Sequence, residues 1–110
     1  RLIGPARARA LCMLGEPLPA ERAAEWGLIW KCVDDEALMD EAMGLARRLA
    51  KQPTRAIAIM KQALEVSLDN DMAAQLDVER DSQVAAFATE DFREGVTAFI
   101  EKRKAVFTGR

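Results

Sequence analysis

The last part of the chain places three cations side by side, Lys102, Arg103 and Lys104, close to two aromatic residues. Phe99 lies one turn upstream and Phe107 lies just beyond. Phosphate groups bind such cations, and a nucleobase stacks on a phenylalanine ring, so the pattern suits a phosphorylated ligand that contains a base. Cations at the C-terminal end of a helix also interact favourably with the helix dipole without any ligand. Spacing alone leaves both interpretations open.

Few other residues offer catalytic chemistry. The chain contains no histidine and no tyrosine, so the commonest general base and the commonest zinc ligand are absent. The acidic cluster at residues 34–36 is interpreted as the cap and first turn of a helix. A calcium loop at residues 69–80 is rejected, because Ala74 replaces the required glycine and Arg80 the required glutamate. We therefore predict no catalytic residue and no metal site within the chain.

The elements that position the cationic end are predicted to be mostly helical. A first helix opens at Gly4-Pro5 and closes at Gly15, and a short second helix covers residues 20–26. The apolar run at residues 28–33 is predicted to be a short extended segment. A third helix follows the acidic cluster and is broken at Pro53.

Three further helices complete the prediction. Two cover residues 54–68 and 72–88, and the last begins with Asp91 and Glu94 as a capping box. The helix at 54–68 is apolar on two faces, which is typical of a helix that is deeply buried or shared with a partner chain. Its faces consist of Ile57, Met60, Leu64 and Leu68, and of Ala56, Ile59, Ala63 and Val66.

Composition narrows the classes of function. The 110-residue chain has a net charge of −2 and a pI near 5.2, which argues against a nucleic-acid binder. No apolar run reaches membrane-spanning length and no signal peptide is recognised, so a cytoplasmic protein without membrane association is expected. Cys12 and Cys32 lack a CxxC pattern and are expected to be buried free thiols. Because the chain starts at Arg1, we expect it to be the interior of a longer protein.

Three stretches together resemble one family. They are RLIGPARA at the start, LPAERAAEWGLIWKCVDD in the middle and EDFREGVTAFIEKRKAVFTGR at the end. In this order they are similar to the C-terminal part of the crotonase family, the enoyl-CoA hydratase/isomerase superfamily, over residues 1–110. Lys61 also matches the lysine usual in its helix. The EWGLIWK stretch, residues 75–80 and the closing Phe-Thr-Gly resemble the branch that isomerises ring-1,2-epoxyphenylacetyl-CoA to the oxepin form.

The resemblance implies a role for the cationic end. In this family the C-terminal helices form the trimerisation region, and the terminal helix lies close to the coenzyme A nucleotide, often that of a neighbouring subunit. By position, Phe99 matches the aromatic residue beside the adenine and Lys102 matches the lysine that reaches a CoA phosphate. Arg103 and Lys104 would only add to the electric field, and Phe107 would pack. A homotrimer or a dimer of trimers is expected, with an acyl-CoA thioester as the ligand.

The resemblance also implies that the catalytic machinery lies elsewhere. Crotonase-type catalysis uses an oxyanion hole of two backbone N–H groups and acidic side chains, and these belong to the earlier ββα spiral core, which residues 1–110 do not match. No separate cofactor is expected, since coenzyme A is part of the substrate. Two alternatives remain open: an ordinary enoyl-CoA hydratase of fatty-acid oxidation, and a free-standing helical interaction module. Trp26 and Trp30 are expected to pack in the core.

Overall fold

The computed structural model describes all 110 residues, of which about 65% are helical, and contains no strand. The mostly helical fold is therefore confirmed. None of the helices combines the length and the apolar character needed to cross a bilayer. The chain divides into two compact units, Arg1–Glu41 and Ala42–Arg110. The helices are α1 (Pro5–Leu14), α2 (Ala20–Glu25), α3 (Asp35–Ala50), α4 (Thr54–Val66), α5 (Met72–Phe87) and α6 (Glu90–Ile100).

Proline and glycine set the helix ends in the first unit, as predicted. Pro5 occupies the first turn of α1, and Gly15 ends the helix in the left-handed conformation with φ 66°. Pro19 precedes α2, which ends one residue earlier than predicted, with Trp26 as its C-cap. The Arg7 guanidinium lies 5.0 Å from the centroid of the Trp26 ring, in a cation–π contact.

The apolar run at residues 28–33 is non-helical, but it is not extended throughout. The N–H groups of Leu28 and Ile29 donate to the carbonyl oxygen of Ala23 at 2.9 and 3.3 Å. These bonds fold the chain back onto the end of α2, so residues 28–30 form bends and only residues 31–34 continue without a turn. The extended segment is consequently shorter than predicted.

Two expectations of burial in the first unit are wrong. Trp30, expected in the core, is 77% exposed, and Cys12 is exposed, whereas Cys32 is half-buried; both cysteines are free thiols. The only buried apolar residue of this unit is Ala23. A unit of this size buries too small a share of its surface to enclose a tryptophan as well.

In the second unit, α4 packs on α5 and α5 contacts α6. The Asp71 carboxylate caps α5 by accepting from the Ala74 N–H at 2.8 Å. Gln75 ties the two helices together, since its Nε2 donates to the carbonyl oxygen of Ala63 at 3.4 Å. Asn70 in the connecting turn donates to Gln75 Oε1 at 3.0 Å. α4 ends two residues earlier than predicted.

Most large apolar side chains of the second unit stay exposed. Its buried apolar residues are only Ala63 and Ala98. Large apolar side chains that remain more than half exposed line α4, α5 and the turn between them, and we call this set the α4–α5 apolar surface: Met60, Leu64, Leu68, Met72, Leu76 and Val84. Of the two apolar faces predicted for α4, the one that contains Leu64 belongs to this surface.

Candidate functional site

The helix that leads to the cationic cluster begins with a cap different from the predicted one. Thr89 is the N-cap of α6: its Oγ1 accepts from the Phe92 N–H at 3.1 Å and its hydroxyl donates to the carbonyl oxygen of Ala86 at 2.7 Å. The predicted capping box is wrong, because Asp91 lies inside the first turn and Glu94 bonds elsewhere. The carboxylates of Asp91 and Glu94 therefore do not cap α6 and can accept hydrogen bonds from other residues.

Asp91 binds the end of the chain. Its carboxylate is only 3% exposed and accepts from the N–H groups of Thr108 and Gly109 at 2.7 and 2.8 Å. The Asp91 N–H in turn donates to the carbonyl oxygen of Arg110 at 3.0 Å. Backbone donors to an ionised carboxylate form strong hydrogen bonds. Residues 101–110, which we call the tail, are therefore anchored at the start of the helix that precedes them.

Gly109 allows the tail to lie close to the start of α4. A Cβ on Gly109 would lie 2.5 Å from Thr54 Oγ1, and the φ of Gly109 is 80°, so both space and backbone conformation require glycine there. Phe107 packs against Gly95 of α6, where a Cβ would lie 3.6 Å from the ring. Phe107 is half-buried, in agreement with its predicted packing role.

Lys102 lies in a strained turn at the end of α6. Its φ is 55°, and it is the only non-glycine residue with a positive φ. The Lys102 N–H donates to the Phe99 carbonyl oxygen at 3.2 Å, and the Arg103 N–H donates to that of Ala98 at 3.0 Å. This is the Schellman pattern, whose left-handed position usually holds glycine. A lysine there costs about 1–2 kcal/mol of backbone strain.

Arg103 is held by carboxylates. Its Nη1 and Nη2 donate to the two oxygens of Glu94 at 2.6 and 2.8 Å, and its Nε donates to Glu101 at 2.6 Å. Glu94 also accepts from the Val106 N–H at 2.8 Å. The Arg103 bonds and the Val106 N–H lower the pKa of Glu94 to about 2, and Glu94 and Glu101 raise the pKa of Arg103 above its usual range.

The three adjacent cations are therefore not equivalent. Arg103 is neutralised by Glu94 and Glu101, whereas the ammonium groups of Lys102 and Lys104 pair with no carboxylate. Sequence reasoning missed Asp91 and Glu94 because the capping-box pattern already accounted for them. Their i, i+3 spacing places two carboxylates on one helix face, but a capping box has the same spacing, so the sequence offered no signal that distinguishes the two roles.

Phe99 lies at the edge of an apolar groove on the same unit. Its side chain is 86% exposed, and the groove beside it has a volume of about 400 Å³. Inside the groove, the rings of Phe87 and Phe92 lie 4.5 Å apart between centroids. Aromatic and small residues form most of its lining: Ala56, Phe87, Phe92, Gly95, Val96, Phe99 and Phe107. An exposed ring and two free ammonium groups thus lie within one turn of the end of α6.

Comparison with known families agrees with the resemblance seen in the sequence. The family model of enoyl-CoA hydratase/isomerase matches residues 1–110. The chain belongs to the enoyl-CoA hydratase/isomerase family. The predicted crotonase membership is thereby confirmed.

Curated members of the enoyl-CoA hydratase/isomerase family match over the whole chain. The 1,2-epoxyphenylacetyl-CoA isomerase of Escherichia coli (strain K12) is 51% identical over 110 residues, which are 100% of this chain and 42% of that protein. The crotonyl-CoA hydratase of Syntrophomonas wolfei is 34% identical, with coverage of 100% and 42%. The chain therefore spans less than half the length of the relatives that it matches.

Solved structures of the family share the fold. An enoyl-CoA hydratase from Geobacillus kaustophilus HTA426 superposes with a TM-score of 0.95 at 39% identity, over 99% of this chain and 42% of that one. An enoyl-CoA hydratase/isomerase from Cupriavidus metallidurans CH34 gives a TM-score of 0.90 at 35% identity, over 98% and 41%. The helices described above are thus a recurring part of this enoyl-CoA hydratase/isomerase fold.

Proposed function

We propose that residues 1–110 are the oligomerisation and coenzyme A-contacting part of an enoyl-CoA hydratase/isomerase-family enzyme. The observation that carries the contact is the end of α6, where an 86% exposed Phe99 is followed three residues later by a lysine in a strained backbone conformation. In this proposal the Phe99 ring stacks on the adenine and the Lys102 ammonium binds a CoA phosphate. Lys104 contributes to the positive field, and Arg103 does not, because two carboxylates hold it.

The proposed oligomer is a homotrimer or a dimer of trimers. It is supported by the α4–α5 apolar surface, whose side chains are 57–77% exposed. Burial of apolar surface between subunits would stabilise the oligomer by roughly 25 cal/mol per Å². The free-standing interaction module remains a weaker alternative, since the family match extends over the whole chain.

Catalytic groups are proposed to come from the rest of the enzyme. The best-defined carboxylates of this chain are engaged in structure: Asp91 and Glu94 bind the tail, and Asp71 caps α5. The chain contributes binding and assembly, with coenzyme A as part of the substrate and no separate cofactor.

The proposed substrate is ring-1,2-epoxyphenylacetyl-CoA, which the enzyme would isomerise to the oxepin-CoA. Support comes from the 51% identity to a protein named 1,2-epoxyphenylacetyl-CoA isomerase. An enoyl-CoA hydratase is the second candidate, because a relative that matches over the whole chain at 42% identity and a solved structure that matches over 99% of it carry that name. Steady-state assays of the complete enzyme with 1,2-epoxyphenylacetyl-CoA and crotonyl-CoA distinguish them. Turnover of crotonyl-CoA alone would overturn the isomerase proposal.

The coenzyme A contact is tested with Lys102→Ala in the complete enzyme. Loss of a hydrogen bond to a charged group should cost roughly 1–3 kcal/mol, so the Kd for CoA should rise about 5- to 150-fold. The Kd for pantetheine, which lacks the phosphates, should not change. Both constants are measured by titration calorimetry, and KM for the substrate should rise while kcat changes little.

Lys102→Gly is the matched variant for the turn. Glycine adopts the left-handed conformation without strain, so this variant should be at least as stable as wild type and yet lose affinity like Lys102→Ala. The same loss in both variants would assign the effect to the ammonium group. An unchanged Kd for CoA in both would refute the assignment of Lys102.

A further inference from the structure

The ion pair of Glu94 and Arg103 governs the geometry of the turn that carries Lys102. Arg103 follows Lys102 directly, and four of its five donors are used: two by Glu94, one by Glu101 and one by the carbonyl oxygen of Lys104 at 3.2 Å. An arginine with so many partners has little rotational freedom. The chain on both sides of Arg103 is thus fixed to the side chain of Glu94.

Glu94 holds the far side of the turn as well. The oxygen that accepts from Arg103 Nη1 also accepts from the Val106 N–H at 2.8 Å. Glu94 lies on α6 before the turn, whereas Arg103 and Val106 lie after it. One carboxylate therefore joins the two arms of the reversal, and the strained φ of Lys102 occurs at the point of reversal between them. Strained conformations persist where surrounding contacts over-determine them.

We propose that Glu94, acting through Arg103, is a positioning residue for the phosphate contact of Lys102. The inference rests on the proposed coenzyme A contact. It gives two of the three adjacent cations different roles. Arg103 fixes the geometry of the turn, and Lys102 binds the CoA phosphate. A phosphate would gain little from Arg103 itself, because Glu94 and Glu101 already occupy the guanidinium. A turn whose backbone is already fixed loses less conformational freedom when the lysine that it carries binds.

The test compares coenzyme A with pantetheine in the complete enzyme. Glu94→Gln removes the charge and the two-pronged contact while the side chain keeps its size. Releasing the turn that carries Lys102 should weaken CoA binding about 2- to 10-fold, because the loop must then be ordered on binding, and it should leave pantetheine binding unchanged. The increase should fall on KM rather than on kcat. Equal weakening for both ligands would show a general loss of structure and overturn the positioning role.

Arg103→Lys separates geometry from charge. It keeps the positive charge but cannot form the two-pronged contact with Glu94, so its preference for CoA over pantetheine should fall as much as that of Glu94→Gln. The double variant should lose no more of this preference than either single variant. Asp77→Asn is the control, since it removes the carboxylate from another exposed arginine pair, Asp77–Arg80 at 2.7 Å. Asp77→Asn should prefer CoA over pantetheine as strongly as the wild type does.

The outcomes distinguish this inference from the proposed function. If Lys102→Ala leaves the preference for CoA over pantetheine intact, the proposed phosphate contact of Lys102 is wrong. If Lys102→Ala reduces the preference for CoA but Glu94→Gln and Arg103→Lys keep it at the wild-type level, only the positioning role is wrong. Tighter CoA binding by Glu94→Gln would also overturn it, because a released Arg103 would then be a phosphate ligand.

Discussion

The tail and the α4–α5 apolar surface belong to one unit but differ in the contacts that their residues make. The tail buries one large apolar side chain in part, that of Phe107, and is otherwise held by hydrogen bonds to the carboxylates of Asp91 and Glu94. The α4–α5 apolar surface has almost no polar anchors and leaves side chains such as Leu64 and Met72 exposed. The contacts that hold the tail are therefore made within this chain, whereas the large side chains of the α4–α5 apolar surface are left more than half exposed by it.

The largest effect should come from a charge placed on the apolar surface. If subunits bury this surface, Leu64→Asp loses the burial of leucine and buries an unpaired carboxylate. The cost of roughly 4 kcal/mol or more would raise the subunit dissociation constant of the complete enzyme about 1,000-fold. Sedimentation velocity over a concentration series measures this change.

The control for that variant is Gln62→Asp on the same helix. Residues two positions apart do not share a helix face, so this charge should leave the oligomer intact. Dissociation by Gln62→Asp, with an intact oligomer in Leu64→Asp, would place the interface on the other side of α4.

The next largest effect should come from removing the anchor of the tail. Asp91→Ala leaves the N–H groups of Thr108 and Gly109 without their acceptor. Loss of two hydrogen bonds to a charged group should cost about 3 kcal/mol. Chemical denaturation of the complete enzyme gives the stability, and hydrogen exchange should show faster exchange at residues 108 and 109.

Asp40→Ala is the matched control for Asp91→Ala, since Asp40 is exposed and makes no such contacts. It should change stability by no more than about 0.5 kcal/mol. If the two variants unfolded alike, or if residues 108 and 109 kept their protection in Asp91→Ala, the tail would be held by something other than Asp91.

The smallest expected effect is the loss of stability at low pH that depends on Glu94. The pKa of Glu94 lies at about 2 in the folded chain, below its ordinary value of 4.5, so between these values the unfolded state binds more protons. The stability that Glu94 contributes is present in full above about 4.5 and is lost as the pH falls towards 2. The difference in Tm between wild type and Glu94→Gln should narrow over that range. A difference independent of pH would contradict the ion pair.

Helix positions could largely be predicted from the sequence, because their signals are local. Pro5, Gly15, Pro53 and Asp71 act on neighbouring residues through a fixed φ, a left-handed φ or a cap. The crotonase family was equally recognisable from short stretches of sequence. Where helix ends were missed by one or two residues, as in α2 and α4, fraying of the last turn is the physical reason.

The tail contacts could not be predicted in the same way. Asp91 and Glu94 satisfy a local capping rule equally well, and only the position of residues 103–109 in space shows that their carboxylates bind there instead. The exposure of Trp30 and Leu64 was equally undecidable, because burial depends on how much chain packs around a side chain.

By itself the sequence determined which segments are helical, which family they belong to and that Phe99 and Lys102 stand at the end of the last helix. These depend on interactions within a few residues. Only the tertiary structure decided that Arg103 is neutralised, that Lys102 holds a left-handed turn and that Asp91 binds the tail. Hydrogen bonds between residues 9 to 18 positions apart form only once the chain has reversed its direction. Sequence patterns that extend over a few residues do not predict that reversal.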